Sequence, residues 1–303
     1  MDLKSKIILI SGPTASGKSN FALKLAKKVG GEIINADSMQ VYKQLQILTA
    51  RPRTKEIKKV KHHLYGFCDV KNKYSTGEWL KLLLKKIKDI RKIKKVPIIV
   101  GGTGLYFKAL TDGLVEIPNI PLKVRNKTRL MQKQLGQKKF FNKLLKLDPK
   151  IRGKIDKNDV QRSIRAYEIK YKTKKSIVDW FKRTKIFFSS EEFIKFYIDY
   201  PRDELLNRIN SRVEYMFKNG AIHEVRRFNK IGVKKENSSN KVIGIKEISN
   251  LLDKQYNLEQ AKELIAIKTR QYAKRQATWA RGQMQSWQKI DPKNLSLALK
   301  NLK

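Results

Sequence analysis

Several residue types are scarce in this 303-residue chain, and each scarcity excludes a class of protein. A single cysteine, Cys68, excludes a disulfide framework and any cysteine-cluster zinc site. No apolar run approaches the roughly 20 residues that a membrane-spanning helix needs. We therefore expect a cytoplasmic protein that has no membrane segment.

Acidic residues are also few, with 27 Asp and Glu against 69 Lys and Arg, which gives a net charge of +42. A hydrophobic fraction of 40% still supports a folded core. Residues 121–185 hold 22 basic and 5 acidic residues, whereas residues 186–240 hold 10 and 8. This uneven distribution predicts a dedicated basic face in the middle of the chain and a polyanionic partner such as a nucleic acid.

The hydrophobic pattern predicts an α/β fold. Apolar strands at residues 7–11, 32–35, 96–100 and 193–199 alternate with helical segments, as in a parallel sheet. Residues 121–185 contain helical patterns and no convincing strand. We predict a catalytic core formed by residues 1–120 and 186–303, with carboxyl-terminal helices, and a basic helical insertion at 121–185.

The clearest motif is GPTASGKS, which lies between the first strand and the first helix and matches a phosphate loop, G-x-x-x-x-G-K-[ST]. In such a loop, backbone N–H groups and the lysine bind phosphates, and the final hydroxyl can ligate Mg²⁺. The motif predicts a P-loop NTPase-like core and a site for a diphosphate or a triphosphate. Its residues are Gly12, Pro13, Thr14, Ala15, Ser16, Gly17, Lys18 and Ser19.

Two further turns follow predicted strands at the edge where open α/β sheets bind ligands. Asp37 follows the second strand, and its carboxylate could hold Mg²⁺ through water, act as a base or cap the turn. Gly101–Gly104 follow the third strand, where many P-loop hydrolases have a magnesium-binding aspartate. The absence of that aspartate counts against an ordinary ATPase.

Two basic stretches are candidates for nucleic-acid binding. Gln161, Arg162 and Arg165 fall near one helical face. Near the end of the chain, basic residues at 270–281 alternate with Gln, Tyr and Trp side chains, which can contact unpaired bases. The alternative for Trp279 is a role as a core anchor.

Seven blocks together resemble the tRNA dimethylallyltransferases of the bacterial type. In chain order they are GPTASGKS, NADSMQVYK, LTARP, VGGTGLYFKAL, NDVQRSIRAYEI, RVEYMFKNGAIHEV and TRQYAKRQATWAR. The resemblance implies that a dimethylallyl group moves from its diphosphate to the exocyclic N6 amine of the adenosine on the 3′ side of the anticodon. It also implies a monomer that uses Mg²⁺ and binds the tRNA anticodon stem-loop.

The resemblance further implies roles for individual residues. The phosphate loop would hold the pyrophosphate, with Mg²⁺ near Ser19, and the catalytic residues would be Asp37, Thr103 and Arg212. The implied tRNA contacts are Asp37, Ser38, Met39, Gln40, Thr103, Arg125, Gln161, Arg162, Ser163, Ile164 and Arg165.

Two other functions remain open from the residues alone. The chain could be a small-molecule kinase whose lid arginines, Arg125, Arg129, Arg162 and Arg165, close over ATP. It could also be a non-catalytic RNA-binding protein with a vestigial phosphate loop. The intact Lys18-Ser19 pair counts against the second, and the basic carboxyl-terminal stretch counts against the kinase.

Overall fold

A computed structural model describes residues 3–301 of the chain. The chain divides into two compact units. The first unit comprises the residues up to Thr111 and those from Phe188 onward, and the second is Asp112–Phe187.

The first unit is built on a parallel sheet of six strands in the order β3-β2-β4-β1-β5-β6. Strands β1, β2 and β4 are buried along their whole length, as expected for a sheet covered on both faces. The strand bounds are β1 Ile7–Ser11, β2 Gly31–Asn35, β3 His62–His63, β4 Val96–Gly101, β5 Phe193–Ile198 and β6 Gln288–Ile290.

Nine α-helices of the first unit surround the sheet within the described residues. Their bounds are α1 Lys18–Val29, α2 Thr54–Ile57, α3 Thr76–Lys92, α4 Gly104–Thr111, α8 Arg202–Lys218, α9 Ala221–Lys230, α10 Ile245–Leu252, α11 Leu258–Gln283 and α12 Leu295–Asn301. Local sequence explains several ends. Helix α3 begins with a capping box, in which Glu78 N–H donates to Ser75 Oγ at 3.2 Å and Ser75 N–H donates to Glu78 Oε2 at 2.7 Å.

The four strands predicted from apolar runs are confirmed within a residue or two. Strands β3 and β6 were not predicted, and β6 lies in the part of the chain for which we predicted carboxyl-terminal helices. These strands are two and three residues long and contain no apolar run. Their strand conformation therefore depends on pairing with the neighbouring strands β2 and β5.

The second unit is helical, with α5 Leu122–Leu147, α6 Val160–Thr173 and α7 Ile177–Phe181. Helix α5 is interrupted at Gly136, whose φ of 69° is outside the helical region. Its core packs α5 against α6 through Phe141, Leu144, Ala166 and Ile169, among others.

The contacts of this unit extend beyond the predicted insertion of 121–185. Leu114 forms an isolated antiparallel bridge with Lys185, which draws the segment from Asp112 into the unit. Whether the insertion folds as a separate domain stays a prediction. Among residues 3–301, no helix has both the length and the apolar character needed to cross a bilayer.

Candidate active site

The phosphate loop joins β1 to α1 through a turn with left-handed backbone. Ala15 has φ 64° and Gly17 has φ 85°, and α1 begins directly afterwards at Lys18. Successive N–H groups in such a turn point toward a common centre, and the helix N-terminus adds a positive partial charge. The loop therefore has the backbone of an anion-binding site.

Polar groups inside the loop also suit an anion. Lys18 Nζ donates to Pro13 O at 3.1 Å. The Ser16 hydroxyl is buried and has no hydrogen-bond partner within the described residues. A phosphate oxygen would supply the acceptor that this hydroxyl lacks, because buried polar groups are normally paired.

Burial lowers the pKa of Lys18 to about 8, an effect that the nearby Asp37 carboxylate opposes and Arg212 reinforces. A lysine with a lowered pKa is charged below that pH and neutral above it. We expect diphosphate affinity to fall by about tenfold per pH unit above pH 8, because the bound anion requires the ammonium form. The ionisation of the ligand contributes little to this pH dependence above pH 8, because the second pKa of a phosphate group is about 6.

Titration calorimetry between pH 7 and pH 9.5 measures this dependence, with dimethylallyl diphosphate, the donor that the family resemblance implies, as the ligand. The Lys18→Met variant is the control, and its weaker binding should not change over that range. An equally flat profile for the unchanged chain would contradict the assignment of the fall to Lys18.

Asp37 is held in a turn that extends from the end of β2. Asp37 N–H donates to Asn35 Oδ1 at 2.8 Å, and the Asn35 amide donates to Asp37 O at 2.9 Å and Leu64 O at 3.0 Å. One carboxylate oxygen of Asp37 accepts the N–H of Met39 at 2.9 Å. The charge of Asp37 favours the protonated forms of Lys18 and Arg212, so these groups share one electrostatic environment.

Thr103 lies at the start of α4 and contacts the Asp37 turn. Its Oγ1 accepts the N–H of Ser38 at 2.9 Å and donates to Ser38 Oγ at 3.3 Å. The turns come close because β2 and β4 are adjacent, and a Cβ at Gly101 would lie 2.0 Å from Ala36 O. Burial raises the pKa of the neighbouring Tyr272 well above its usual value, and the nearby Thr103 hydroxyl opposes this rise.

Arg212 extends from α8 to the phosphate loop. Its Nη1 donates to Thr14 Oγ1 at 2.9 Å, and its Nη2 donates to Leu48 O at 3.3 Å. Burial lowers the pKa of Arg212, but a guanidinium remains charged at any physiological pH. A fixed cation is thus placed beside the loop.

These elements surround a cavity of about 870 Å³ in the first unit. Its walls carry more cationic than anionic side chains and include apolar ones. The cations are Lys18, Arg208, Arg212, Lys241 and Arg275, the carboxylates are Asp37 and Glu56, and the apolar residues include Met39, Leu48, Met216, Val242 and Ile243. Such a lining suits a ligand with an anionic end and a short apolar group.

The remaining predicted residues of this unit lie at or behind the same wall. Ser38 and Gln40 line the cavity, and the Gln40 amide donates to Thr49 O at 2.9 Å. Within the loop, Thr14, Ala15, Gly17 and Ser19 also line it, whereas Gly12, Pro13 and the buried Ser16 are not among its lining residues.

A metal ion in this cavity would depend on few protein ligands. Residues 3–301 contain no group of three or more His, Cys, Asp or Glu side chains arranged to hold a metal. Ser19 is exposed to the cavity at the start of α1. A hydroxyl beside an anion site fits a hard cation that takes its other oxygens from the ligand and water.

The implied tRNA-contacting residues of the second unit differ in their exposure to solvent. Gln161 and Arg162 are exposed at the start of α6, and Arg165 is partly exposed and lies 3.4 Å from Glu168. Ser163 is fully buried and donates to Asp159 O at 2.7 Å, and Ile164 is also buried. Ser163 and Ile164 therefore face the interior of their unit rather than solvent.

Arg125 is on the first turn of α5 and is partly buried, and its Nε has no hydrogen-bond partner within the described residues. It belongs to the second unit together with the block at 161–165. The structure therefore groups Arg125 with this block and places both outside the unit that contains the cavity.

Sequence reasoning missed two buried residues beside the cavity. Gln276, which we had placed among exposed RNA-binding candidates, is only 9% exposed and shares a buried face of α11 with Ala273 and Ala280. Helical spacing could have revealed this face. Trp279 is partly exposed and lies against the start of α4, where a Cβ at Gly104 would be 2.1 Å from its Nε1, so it is not a fully buried core anchor.

Glu224 is the second residue that was missed. It is 2% exposed, and its carboxylate accepts N–H groups from Gln46 at 2.8 Å, Ile47 at 2.9 Å and Leu48 at 3.0 Å. It thereby fixes the loop whose Leu48 carbonyl accepts from Arg212. No signal in the sequence distinguishes this carboxylate from an exposed one.

The fold and the cavity define a P-loop-type α/β enzyme for an anionic substrate. The sequence matches the family "IPP transferase" over residues 40–283. It is 62% identical to the tRNA dimethylallyltransferase of Pelagibacter ubique (strain HTCC1062), over 100% of this chain and 97% of that protein. It is 39% identical to the enzyme of the same name from Caulobacter sp. (strain K31), over 95% and 93%.

Solved structures agree with the sequence comparisons. The full-length tRNA isopentenylpyrophosphate transferase of Bacillus halodurans is 30% identical, with a TM-score of 0.70 and coverage of 98% of this chain and 95% of that one. A eukaryotic dimethylallyltransferase acting on tRNA is 31% identical, with a TM-score of 0.83 and coverage of 98% and 76%.

The chain belongs to the IPP transferase family. Membership of this family confirms the expected P-loop NTPase-like α/β fold and the expected transferase activity. The kinase alternative is not favoured. Enzymes of this family use a divalent metal ion.

Proposed function

We propose that the chain transfers a dimethylallyl group from dimethylallyl diphosphate to N6 of the adenosine on the 3′ side of the anticodon in tRNA. The observation that supports this best is the joining of two features in one cavity. The phosphate loop suits the diphosphate of the donor, and the Asp37 turn supplies a carboxylate for the acceptor amine. The nearby apolar side chains suit the five-carbon group.

The transfer breaks the bond between the allylic carbon and the diphosphate oxygen and forms a bond from that carbon to N6. Negative charge develops on the pyrophosphate, where Lys18, Arg212 and the loop N–H groups stabilise it. An adenine amine is a poor nucleophile because its lone pair is delocalised into the ring. Asp37 accepts the N6 proton as the new bond forms, and Thr103 holds the Asp37 turn through Ser38.

The metal of this site is Mg²⁺ in our proposal, and Ser19 would hold it together with diphosphate oxygens. When bound, it adds positive charge beside the leaving group. The binding surface for the tRNA stem-loop includes the exposed Gln161 and Arg162 and the partly exposed Arg125 and Arg165. We also propose a monomer, as the resemblance to the family implies, and tRNA as the substrate points to the cytoplasm.

The experiment mixes purified protein, Mg²⁺ and dimethylallyl diphosphate with an unmodified anticodon stem-loop. The RNA should gain the mass of one dimethylallyl group, with release of pyrophosphate and no need for ATP. A stem-loop with guanosine at the target position, which lacks the N6 amine, is the matched control and should stay unchanged. Unaltered RNA together with ATP consumption against a small metabolite would overturn the proposal.

Arg162→Glu tests the proposed RNA surface. We expect weaker tRNA binding and a salt dependence of log Kd whose slope is lower by about 1, because one phosphate contact is lost. Arg202→Glu, an equal charge change at the exposed start of α8, is the control. Filter binding across a salt series measures both. Equal effects from the two variants would show that net charge, and not this surface, determines affinity.

A further inference from the structure

The carboxamide of Gln276 on α11 contacts both turns beside the cavity. Its Oε1 accepts the N–H of Thr14 in the phosphate loop at 2.8 Å, and its Nε2 donates to Gly102 O at 2.9 Å. Gly102 immediately precedes Thr103 in the turn after β4. One buried side chain therefore joins the phosphate loop to the turn that supports Asp37.

The two hydrogen bonds require an acceptor and a donor on the same side chain. Thr14 presents a donor and Gly102 presents an acceptor, so the side chain between them must accept at one end and donate at the other, as a carboxamide does. A Cβ at Gly102 would lie 2.1 Å from Gln276 Nε2, so the contact requires a residue without a side chain at this position. Thr14 is fixed a second time, because its hydroxyl accepts from Arg212.

We propose that Gln276 is a positioning residue for the transfer, a role that rests on the proposed function. It fixes the phosphate loop relative to the Gly102–Thr103 turn. The loop would hold the donor and the turn supports the carboxylate that receives the amine proton, so this contact sets the distance between the allylic carbon and N6. Gln276 acts through Thr14 and Gly102 and does not bind either substrate.

Gln276→Glu keeps the shape and the acceptor for Thr14 but places a carboxylate oxygen against Gly102 O. The residues that bind the diphosphate and those that bind the RNA are unchanged in this variant. We expect kcat to fall about 100-fold, as for a misplacement of about 1 Å between reacting groups. The Kd of the stem-loop should stay unchanged, and the Kd of dimethylallyl diphosphate should rise far less than kcat falls, because the added carboxylate lies beside the anion site while the groups that bind the donor remain in place. A merely structural role would instead lower the melting temperature and both affinities together.

The unchanged chain is assayed first, and its failure to modify RNA would overturn the proposed function and not the positioning role by itself. Gln255→Glu makes the same charge change at an exposed site and should keep full activity. Gln276→Met, which has neither a donor nor a strong acceptor, should lower kcat in the same way. The inference is overturned if either Gln276 variant keeps the kcat of the unchanged chain, loses substrate affinity in proportion to rate, or fails to fold.

Discussion

Replacing Asp37 by Asn should lower kcat by about 10²–10⁴-fold, the usual contribution of a general base. The amide oxygen can still accept the N–H of Met39, so the turn should keep its shape. What is lost is the group that takes the proton from N6. The tRNA affinity should stay the same, since the basic residues that we propose for RNA binding lie elsewhere.

Single-turnover assays under saturating substrates measure the chemical step, and filter binding measures the tRNA affinity. Asp89→Asn, at a partly exposed position of α3 where Asp89 pairs with Lys86, is the matched control and should retain full activity. A kcat close to that of the unchanged chain, or an equal loss of binding and rate, would show that Asp37 is not the base.

Local chemistry made much of the site predictable. The phosphate loop is contiguous, and its glycine and lysine positions follow from the turn that cradles an anion. The Asp37 and Thr103 turns were predictable because each follows an apolar strand, and the carboxyl ends of parallel strands meet at one edge. These features need no knowledge of distant contacts.

The remaining site contacts could not be predicted because they join distant parts of the chain. Arg212 and Thr14 are separated by 198 positions, and Gln276 and Thr14 by 262. The family resemblance indicated a role for Arg212 but not its partners. Gln276 was misread as exposed because basic neighbours dominate its segment, whereas its own side chain lies on the buried face of α11.

The distribution of basic residues along the chain also predicts its surface only in part. Residues 121–185, in which basic residues are concentrated, form most of the second unit, and their role as an RNA-binding surface stays a prediction. The block at 161–165 was treated as continuous, yet Ser163 and Ile164 are required by the core of that unit. A helix presents its residues in turn, so a continuous block cannot face a partner as a whole.

Glu224→Ala should lower the free energy of unfolding by about 3 kcal/mol or more. Three buried N–H groups, those of Gln46, Ile47 and Leu48, would lose their acceptor, and each such group costs about 1–3 kcal/mol. Thermal and urea unfolding followed by circular dichroism measure the change. Glu224→Gln should have an intermediate effect, because a carboxamide retains one acceptor oxygen.

Glu214→Ala is the matched control, since Glu214 is half exposed and pairs with Lys262 on the surface. Such a pair contributes about 0–1 kcal/mol. Equal stability of the two alanine variants would contradict the role assigned to Glu224. Activity supplies a second readout, because the released loop carries the Leu48 carbonyl that orients Arg212. In the folded fraction, Glu224→Gln should therefore raise the KM for dimethylallyl diphosphate while Glu214→Ala does not.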